Sequence, residues 1–125
     1  MASFLVNGRP DRSVDAADRG LMYGDGVFRT LVARAGRPLN WANHYGLLAR
    51  DCARLRLPCP DEALLLAEIA RVAPGDAVVK VIVSRGASGR GYAFGEDPQT
   101  TRIVAAWPGV PAAPEAARDG VRADE

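Results

Sequence analysis

The sequence predicts an α+β fold, in which a mainly antiparallel sheet carries two helices packed on it. The prediction rests on the order of local patterns along 125 residues: a short strand, a hairpin, two amphipathic helices together, and then two further strands. Such a grouping of strands and helices is typical of a sheet that is covered by helices on one face. The length suffices for one modest domain with its own core.

The first half of the chain predicts a strand, an irregular stretch and a hairpin. Ser3–Val6 is a short apolar run that the turn residues Asn7 and Gly8 close. Residues 14–22 show no regular pattern, apart from one helical turn expected after Asp18. Residues 26–33 are rich in β-branched and apolar side chains. A turn at 35–38 then leads into a second hairpin strand, predicted at 39–41.

The middle of the chain predicts two helices. Apolar residues recur at spacings of four and three and so share one helical face: Trp41, Tyr45, Leu48, Cys52 and Leu55. Asn40 or Asn43 can cap this helix, and Pro58 and Pro60 end it. Asp61 caps the second helix, which carries Leu64, Leu65, Ile69 and Val72 as apolar positions.

The last third predicts two strands and a linker. Ala77–Ser84 is an almost continuous apolar run, which indicates a strand buried on both faces. A glycine-rich loop follows, and residues 100–107 form the next strand. Three prolines after Trp107 mark a linker over 108–125. We therefore expect a domain at 1–107.

Composition excludes several function classes. The net charge of +1 does not favour a nucleic-acid surface or a polybasic membrane patch. No apolar run approaches the length of a membrane-spanning helix, and the start of the chain is too polar for a signal peptide. Two cysteines and one histidine make a metal site unexpected, and they are compatible with a reduced, cytoplasmic protein, although a disulfide between them stays open.

Two glycine-containing segments are candidate sites. Gly24 and Gly26 flank Asp25 and permit a tight corner before a strand on which Phe28 and Thr30 share one face. From the residues alone, a structural turn with core packing is the favoured interpretation. In the loop at 84–92, Arg85 and Arg90 are suited to bind a carboxylate or phosphate, and a solvated hairpin loop is an equal alternative.

Three further charged positions have ordinary structural interpretations. Lys80 lies inside an apolar strand, where its ammonium is expected to reach a carboxylate or water at the sheet edge. His44 is expected to pack or cap near the start of the first long helix. Asp18 and Arg19 are expected to be exposed charges or turn residues.

Taken together, four segments resemble one family. VNG near the start, DRGLMYGDGVFRT, a helix with H…DCARL and VVKVIVSRGASGRGY follow in the order seen in the N-terminal part of class-IV pyridoxal-phosphate (PLP) enzymes. Within that family the SRG…GRGY loop is most similar to the 4-amino-4-deoxychorismate lyases. The resemblance extends from Phe4 to about Trp107.

The resemblance implies a fold, a cofactor and a reaction. The chain would be the small N-terminal domain of a homodimeric enzyme that binds PLP between a small and a large domain. The reaction would release pyruvate from 4-amino-4-deoxychorismate and leave 4-aminobenzoate for folate synthesis, with PLP as the electron sink. By position, Phe28 and Thr30 face the pocket, Thr30 acts near the departing group, and Arg90 and Tyr92 belong to a loop over the substrate, where Arg90 pairs with a carboxylate.

Two departures from the family pattern bear on activity. The lysine that holds PLP as a Schiff base matches no residue here, because Lys80 aligns elsewhere and the position lies beyond residue 125, so this chain alone is expected to be inactive. The family's basic residue for the PLP phosphate is replaced by Leu47, and Arg50 is predicted to substitute for it. A class-IV aminotransferase and a non-catalytic, self-associating domain remain as alternatives.

Overall fold

A computed structural model describes residues 2–87 and 99–109. Within these ranges the chain forms six strands and three helices. In chain order they are β1 (Ser3–Val6), β2 (Arg9–Pro10), α1 (Arg19–Tyr23), β3 (Gly26–Arg34), β4 (Arg37–Pro38), α2 (Trp41–Arg54), α3 (Glu62–Val72), β5 (Ala77–Ser84) and β6 (Thr101–Pro108).

All pairings in the sheet are antiparallel, in the order β2-β1-β6-β5-β3-β4. This confirms the predicted fold class. β5 is central and pairs along its full length with β3 and β6. β4 pairs with β3 only at Ala33 and Arg34, and Leu39 N–H donates to the carbonyl of Val32, so within the described residues no strand pairs with the outer edge of β3 from Gly26 to Leu31.

The core lies between the sheet and the two long helices. Strand side chains alternate between the two faces of a sheet, and here the buried set belongs to the face that α2 and α3 cover. Its members are Leu5, Leu31, Ala33, Val79, Val81, Val83, Val104 and Ala106 from the strands, with Leu48, Cys52, Leu65 and Ile69 from the helices. The opposite face is only partly buried in the described chain.

The helices begin where the sequence predicts. Asp61 accepts a hydrogen bond from the backbone N–H of Ala63 and so caps α3. Asn40 precedes α2 in a left-handed conformation, but its side chain makes no capping hydrogen bond. The predicted apolar face of α2 is confirmed at Leu48 and Cys52, which are buried in the core, but not at Leu55, which follows the helix and is exposed.

Two local predictions are wrong. Residues 39–41 do not form a strand: the hairpin partner is the two-residue β4, and Trp41 already belongs to α2. β5 is not buried on both faces, since Val78, Lys80 and Ile82 alternate with buried neighbours and are partly exposed. An apolar run indicates a central strand, but β-branched residues on a half-covered sheet produce the same pattern.

Residues 110–125, most of the predicted linker, lie outside the described residues. Cys52 and Cys59 are free thiols. In the part of the chain that the structure describes, no helix is long and apolar enough to cross a membrane.

Candidate active site

The corner at Gly24–Gly26 joins α1 to β3 and is needed for the close fit of β3 on β5. Gly24 ends α1 at a φ of 69°, and its N–H donates to the carbonyls of Arg19 and Gly20. Gly26 has no positive φ; a Cβ there would lie 2.7 Å from the carbonyl oxygen of Val83. The two glycines are therefore needed for different reasons. Gly24 adopts a positive φ, and Gly26 leaves room for the carbonyl of Val83.

A buried ion cluster holds this corner. Asp25 accepts at Oδ2 from Nε of Arg85 at 2.7 Å and from Nε of Arg19 at 3.2 Å. Arg85 also donates through Nη2 to the carbonyl of Leu55, just past α2. Burial raises the pKa of Asp25, but the hydrogen bonds from Arg85 and Arg19 outweigh it and hold that pKa below its ordinary value.

The expectation that Asp18 and Arg19 are exposed charges is therefore wrong, and so is that of a solvated position for Arg85, which instead binds a carboxylate of the protein itself. Arg19 and Asp18 are 2% and 3% exposed, not surface charges. Arg85 is 5% exposed and its guanidinium is held by Asp25 and Leu55, so its partners are internal ones. Sequence spacing could not show this, because Arg85 and Asp25 are sixty positions apart in the chain.

Asp18 links α1 to the end of β5. Its Oδ1 accepts from the N–H of Gly20 at 2.8 Å and from the hydroxyl of Ser84 at 2.6 Å. The Ser84 hydroxyl in turn accepts from the N–H of Gly86. The sequence signal for this role of Asp18 is its position before a predicted helical turn, where aspartate is a common N-cap.

Phe28, Thr30 and Lys80 lie together on the sheet face that the helices leave open; we call this the open face. Phe28 is 55% exposed. Thr30 pairs directly with Lys80 across β3 and β5, and the Lys80 ammonium lies 4.5 Å from the centroid of the Phe28 ring. The open face thus carries an aromatic ring, a hydroxyl and a cation at neighbouring positions of two paired strands.

The structure corrects the expectation for Lys80. Its strand is central, so the ammonium does not reach a sheet edge, and none of the ion pairs among the described residues includes it. Its contact is the Phe28 ring, which attracts a cation through the negative charge on its face. A half-buried cation on a largely apolar face is suited to attract an anionic group of a ligand.

A cavity of about 410 Å³ opens at the end of the open face, beside α1. Phe28, Ile82 and Ile103 supply an apolar wall, and Asp18, Ser84 and Thr101 supply its polar end. Its volume falls in the range of small-molecule sites.

The start of α2 holds a second polar group. His44 accepts at Nδ1 from the guanidinium of Arg29, whose Nη2 lies 3.0 Å away and whose Nε lies 3.3 Å away. Leu47 is half-buried one turn further along. Arg50 has a side chain that is 57% exposed, and it pairs with Asp51 at 3.5 Å. No local sequence pattern indicates that Arg29 and His44 meet, because they lie on different elements.

Arg90 and Tyr92 lie outside the described residues, as does the rest of 88–98. Their proposed contact with a substrate stays a prediction. Of the predicted site residues, the structure brings Phe28 and Thr30 together. Among the described residues, no group of three or more His, Cys, Asp or Glu side chains is placed to hold a metal ion.

Comparison with known proteins gives one consistent result. A sequence profile of the amino-transferase class IV family matches residues 26–124. A Vibrio harveyi aminodeoxychorismate lyase is 36% identical over 91 residues, which cover 71% of this chain and 34% of that protein.

Solved structures share the fold. The crystal structure of 4-amino-4-deoxychorismate lyase from Pseudomonas aeruginosa superposes with a TM-score of 0.79 at 43% identity, covering 90% of this chain and 42% of that one. A fold IV-transaminase from Curtobacterium pusillum matches with a TM-score of 0.64 at 27% identity, covering 89% and 44%. The chain thus spans about a third of the curated relative.

Proposed function

Since this chain belongs to the amino-transferase class IV family, we propose that it provides the small-domain half of a PLP-dependent active site. The reaction we propose is the aminodeoxychorismate lyase reaction, in which 4-amino-4-deoxychorismate loses pyruvate to give 4-aminobenzoate. Identities of 43% and 36% to two such lyases, against 27% to a transaminase, support the lyase over the aminotransferase.

The observation that carries the proposal is the arrangement of Phe28, Thr30 and Lys80. The open face offers an apolar surface on which a flat aromatic ring can lie, and a hydroxyl beside it that can donate or accept a proton. PLP fits this donor set, since it combines an aromatic ring with polar substituents. When bound, it would supply the electron sink that stabilises the carbanion formed from the substrate.

Each residue has a distinct role in this proposal. Phe28 forms the apolar wall and excludes water from the reacting carbon. Thr30 holds a proton near the leaving enolpyruvyl group, directly or through a water. Lys80, opposite Thr30 in the sheet, attracts a substrate carboxylate with its ammonium. Arg90 and Tyr92 remain proposed substrate contacts from the resemblance.

The Schiff-base lysine is not among these residues. Lys80 is held in the central strand with its ammonium over Phe28, and the matched relatives extend well beyond the length of this chain. We propose that the cofactor lysine and the rest of the enclosure belong to a larger domain, that the intact enzyme is a homodimer, and that the 125-residue chain by itself has no turnover.

Two variants of Thr30 test the role of its hydroxyl in the intact protein. Thr30→Val removes the hydroxyl and keeps the volume, so kcat for pyruvate release should fall about 100-fold or more. Thr30→Ser keeps the hydroxyl and should retain most of the activity. Equal activity of Thr30→Val and the wild type would show that the hydroxyl takes no part in the reaction.

A further inference from the structure

Asp25 and Arg85 join the start of β3 to the end of β5 by two separate contacts. Asp25 immediately precedes β3, and Arg85 immediately follows β5. The backbone N–H of Arg85 donates to the carbonyl of Asp25 at 3.1 Å, and its side-chain Nε donates to Oδ2 of Asp25 at 2.7 Å. The two residues therefore extend the pairing of β3 with β5 beyond its last strand pair, Gly26 with Ser84.

The side chain of Arg85 also reaches the helix-covered side of the sheet. Its Nη2 donates to the carbonyl of Leu55, the residue that follows α2. The end of α2, the corner before β3 and the end of β5 thus meet at one buried guanidinium. Because these donors point to acceptors of the protein itself, they are not turned towards a ligand on the open face.

The same two strands carry the groups of the proposed active site. In the ladder of β3 and β5, Phe28 pairs with Ile82 and Thr30 pairs with Lys80. Phe28 lies three residues after Asp25, and its ring centroid lies 4.5 Å from the Lys80 ammonium. Since one strand face is defined by its register on the neighbouring strand, a shift of β3 on β5 would move Phe28 and Thr30 relative to Lys80.

We propose that Asp25 and Arg85 are positioning residues for the reaction, which hold β3 on β5 so that Phe28 and Thr30 keep their places beside Lys80. This role rests on the proposed function and gives Arg85 a task other than binding a substrate anion. The two roles differ in their kinetic effect. Loss of an arginine that binds the substrate raises KM, whereas displacement of the Thr30 hydroxyl lowers kcat.

Asp25→Asn tests the role, and Glu68→Gln is its matched control. Glu68 is also buried, and it accepts from Nε and Nη2 of Arg102 at 2.9 and 2.8 Å. That ion pair joins α3 to β6 and lies away from the Asp25 corner. Each substitution replaces a buried carboxylate by an amide of the same shape, so both should lower stability. The intact proteins are compared at a temperature at which unfolding curves show every variant to be folded.

The first readout is the rate of pyruvate release. Asp25→Asn and Arg85→Gln should each lower kcat by about 10- to 100-fold and leave KM within about 2-fold, because small displacements of reacting groups cost rate. Glu68→Gln should change neither constant by more than about 2-fold. The proposal is overturned if Asp25→Asn keeps the wild-type kcat, if Glu68→Gln loses as much activity, or if Arg85→Gln only raises KM.

A combination with Thr30→Val shows whether Asp25 acts through the active-site strand. If it does, the two changes are not additive, because the second has no hydroxyl left to displace. Adding Asp25→Asn to Thr30→Val should then lower kcat by less than about 3-fold. A full further loss, equal to that of Asp25→Asn alone, would contradict positioning of Thr30.

The Lys80 side chain gives a readout that does not depend on turnover. Lys80 is the single lysine of the 125 residues, and its NMR signals in the intact protein are those that Lys80→Arg removes. The Phe28 ring shifts the ε-methylene protons of Lys80, because they lie near its face. Asp25→Asn should reduce this ring-current shift, and Glu68→Gln should keep it.

The NMR result separates failure of the positioning role from failure of the proposed function. An unchanged Lys80 shift in Asp25→Asn would overturn the proposal. A reduced shift in Asp25→Asn, in a protein whose wild type releases no pyruvate, would show that Asp25 positions Phe28 and that the proposed function is wrong.

Discussion

Oδ2 of Asp25 accepts from two arginines, Arg85 at 2.7 Å and Arg19 at 3.2 Å, and so ties the loop before β3 to the end of β5. Asp25→Asn keeps the shape but removes the charge. We expect the free energy of unfolding to fall by about 2 to 3 kcal/mol, as hydrogen bonds to charged groups contribute. Chemical denaturation at neutral pH measures it.

The same carboxylate predicts a dependence on pH. Its folded-state pKa lies below the ordinary value of 3.8. Its stabilisation is therefore fully present above about pH 4 and is lost as the pH falls through the lower, folded-state pKa. The difference in stability between wild type and Asp25→Asn should shrink over that acidic range. A constant difference from pH 6 down to pH 2 would contradict the assignment.

Two glycine-to-alanine substitutions should have opposite effects on the stability of the protein. A Cβ on Gly20 in α1 would lie 2.6 Å from Cβ of Ser84, whereas a Cβ on Gly46 in α2 meets nothing within 4 Å. Gly46→Ala should stabilise the protein by about 1 kcal/mol through helix propensity. Gly20→Ala should destabilise it, because the Asp18–Ser84 contact must shift. Thermal unfolding compares them, and stabilisation by both would show that α1 is not packed as described.

The two cysteines should differ in reactivity. Cys52 is fully buried, and burial together with the neighbouring Cys59 raises the pKa of its thiol to about 12. Cys59 is partly exposed. Because the thiolate is the reactive form, an aromatic disulfide reagent should modify Cys59 first and Cys52 only on unfolding. The Cys59→Ser variant, which leaves one thiol, should be unreactive in the folded state; rapid labelling of that variant would contradict the burial of Cys52.

The exposed apolar residues of α1 predict self-association of the 125-residue chain. Leu21 and Met22 are 66% and 60% exposed, and Leu21 lines the cavity together with Phe28. Light scattering should detect dimers or larger species at high concentration. Replacing Leu21 and Met22 by serine should reduce them, while Leu64→Ser on α3 should not. A wild-type chain that stays monomeric throughout would contradict this prediction.

The strands and long helices were predictable because their signals are local. The spacing of Trp41, Tyr45 and Leu48 defines α2, and Asp61 marks the start of α3. Leu39 was assigned to a strand because local patterns do not fix the length of a hairpin partner. β5 was expected to be buried on both faces because an apolar run does not reveal which face the helices cover.

The candidate site was only partly predictable. Phe28 and Thr30 follow from the alternation of a strand, and their shared face is confirmed. The pairs Asp25–Arg85 and Arg29–His44 join residues far apart in the chain, so only the folded structure brings them together. The burial of Asp18 and Arg19 is not predictable from sequence, because charged residues are usually exposed and a buried cluster forms only when all its partners are in place.

The intact protein is proposed to be a lyase, and the stoichiometry of its products is the measurement to make first. The protein would be incubated with PLP and 4-amino-4-deoxychorismate in the absence of any keto acid. We predict that pyruvate and 4-aminobenzoate form in equal amounts over many turnovers. A protein that forms neither product, but transfers the amino group of an amino acid to an added keto acid, would contradict the claim and identify an aminotransferase.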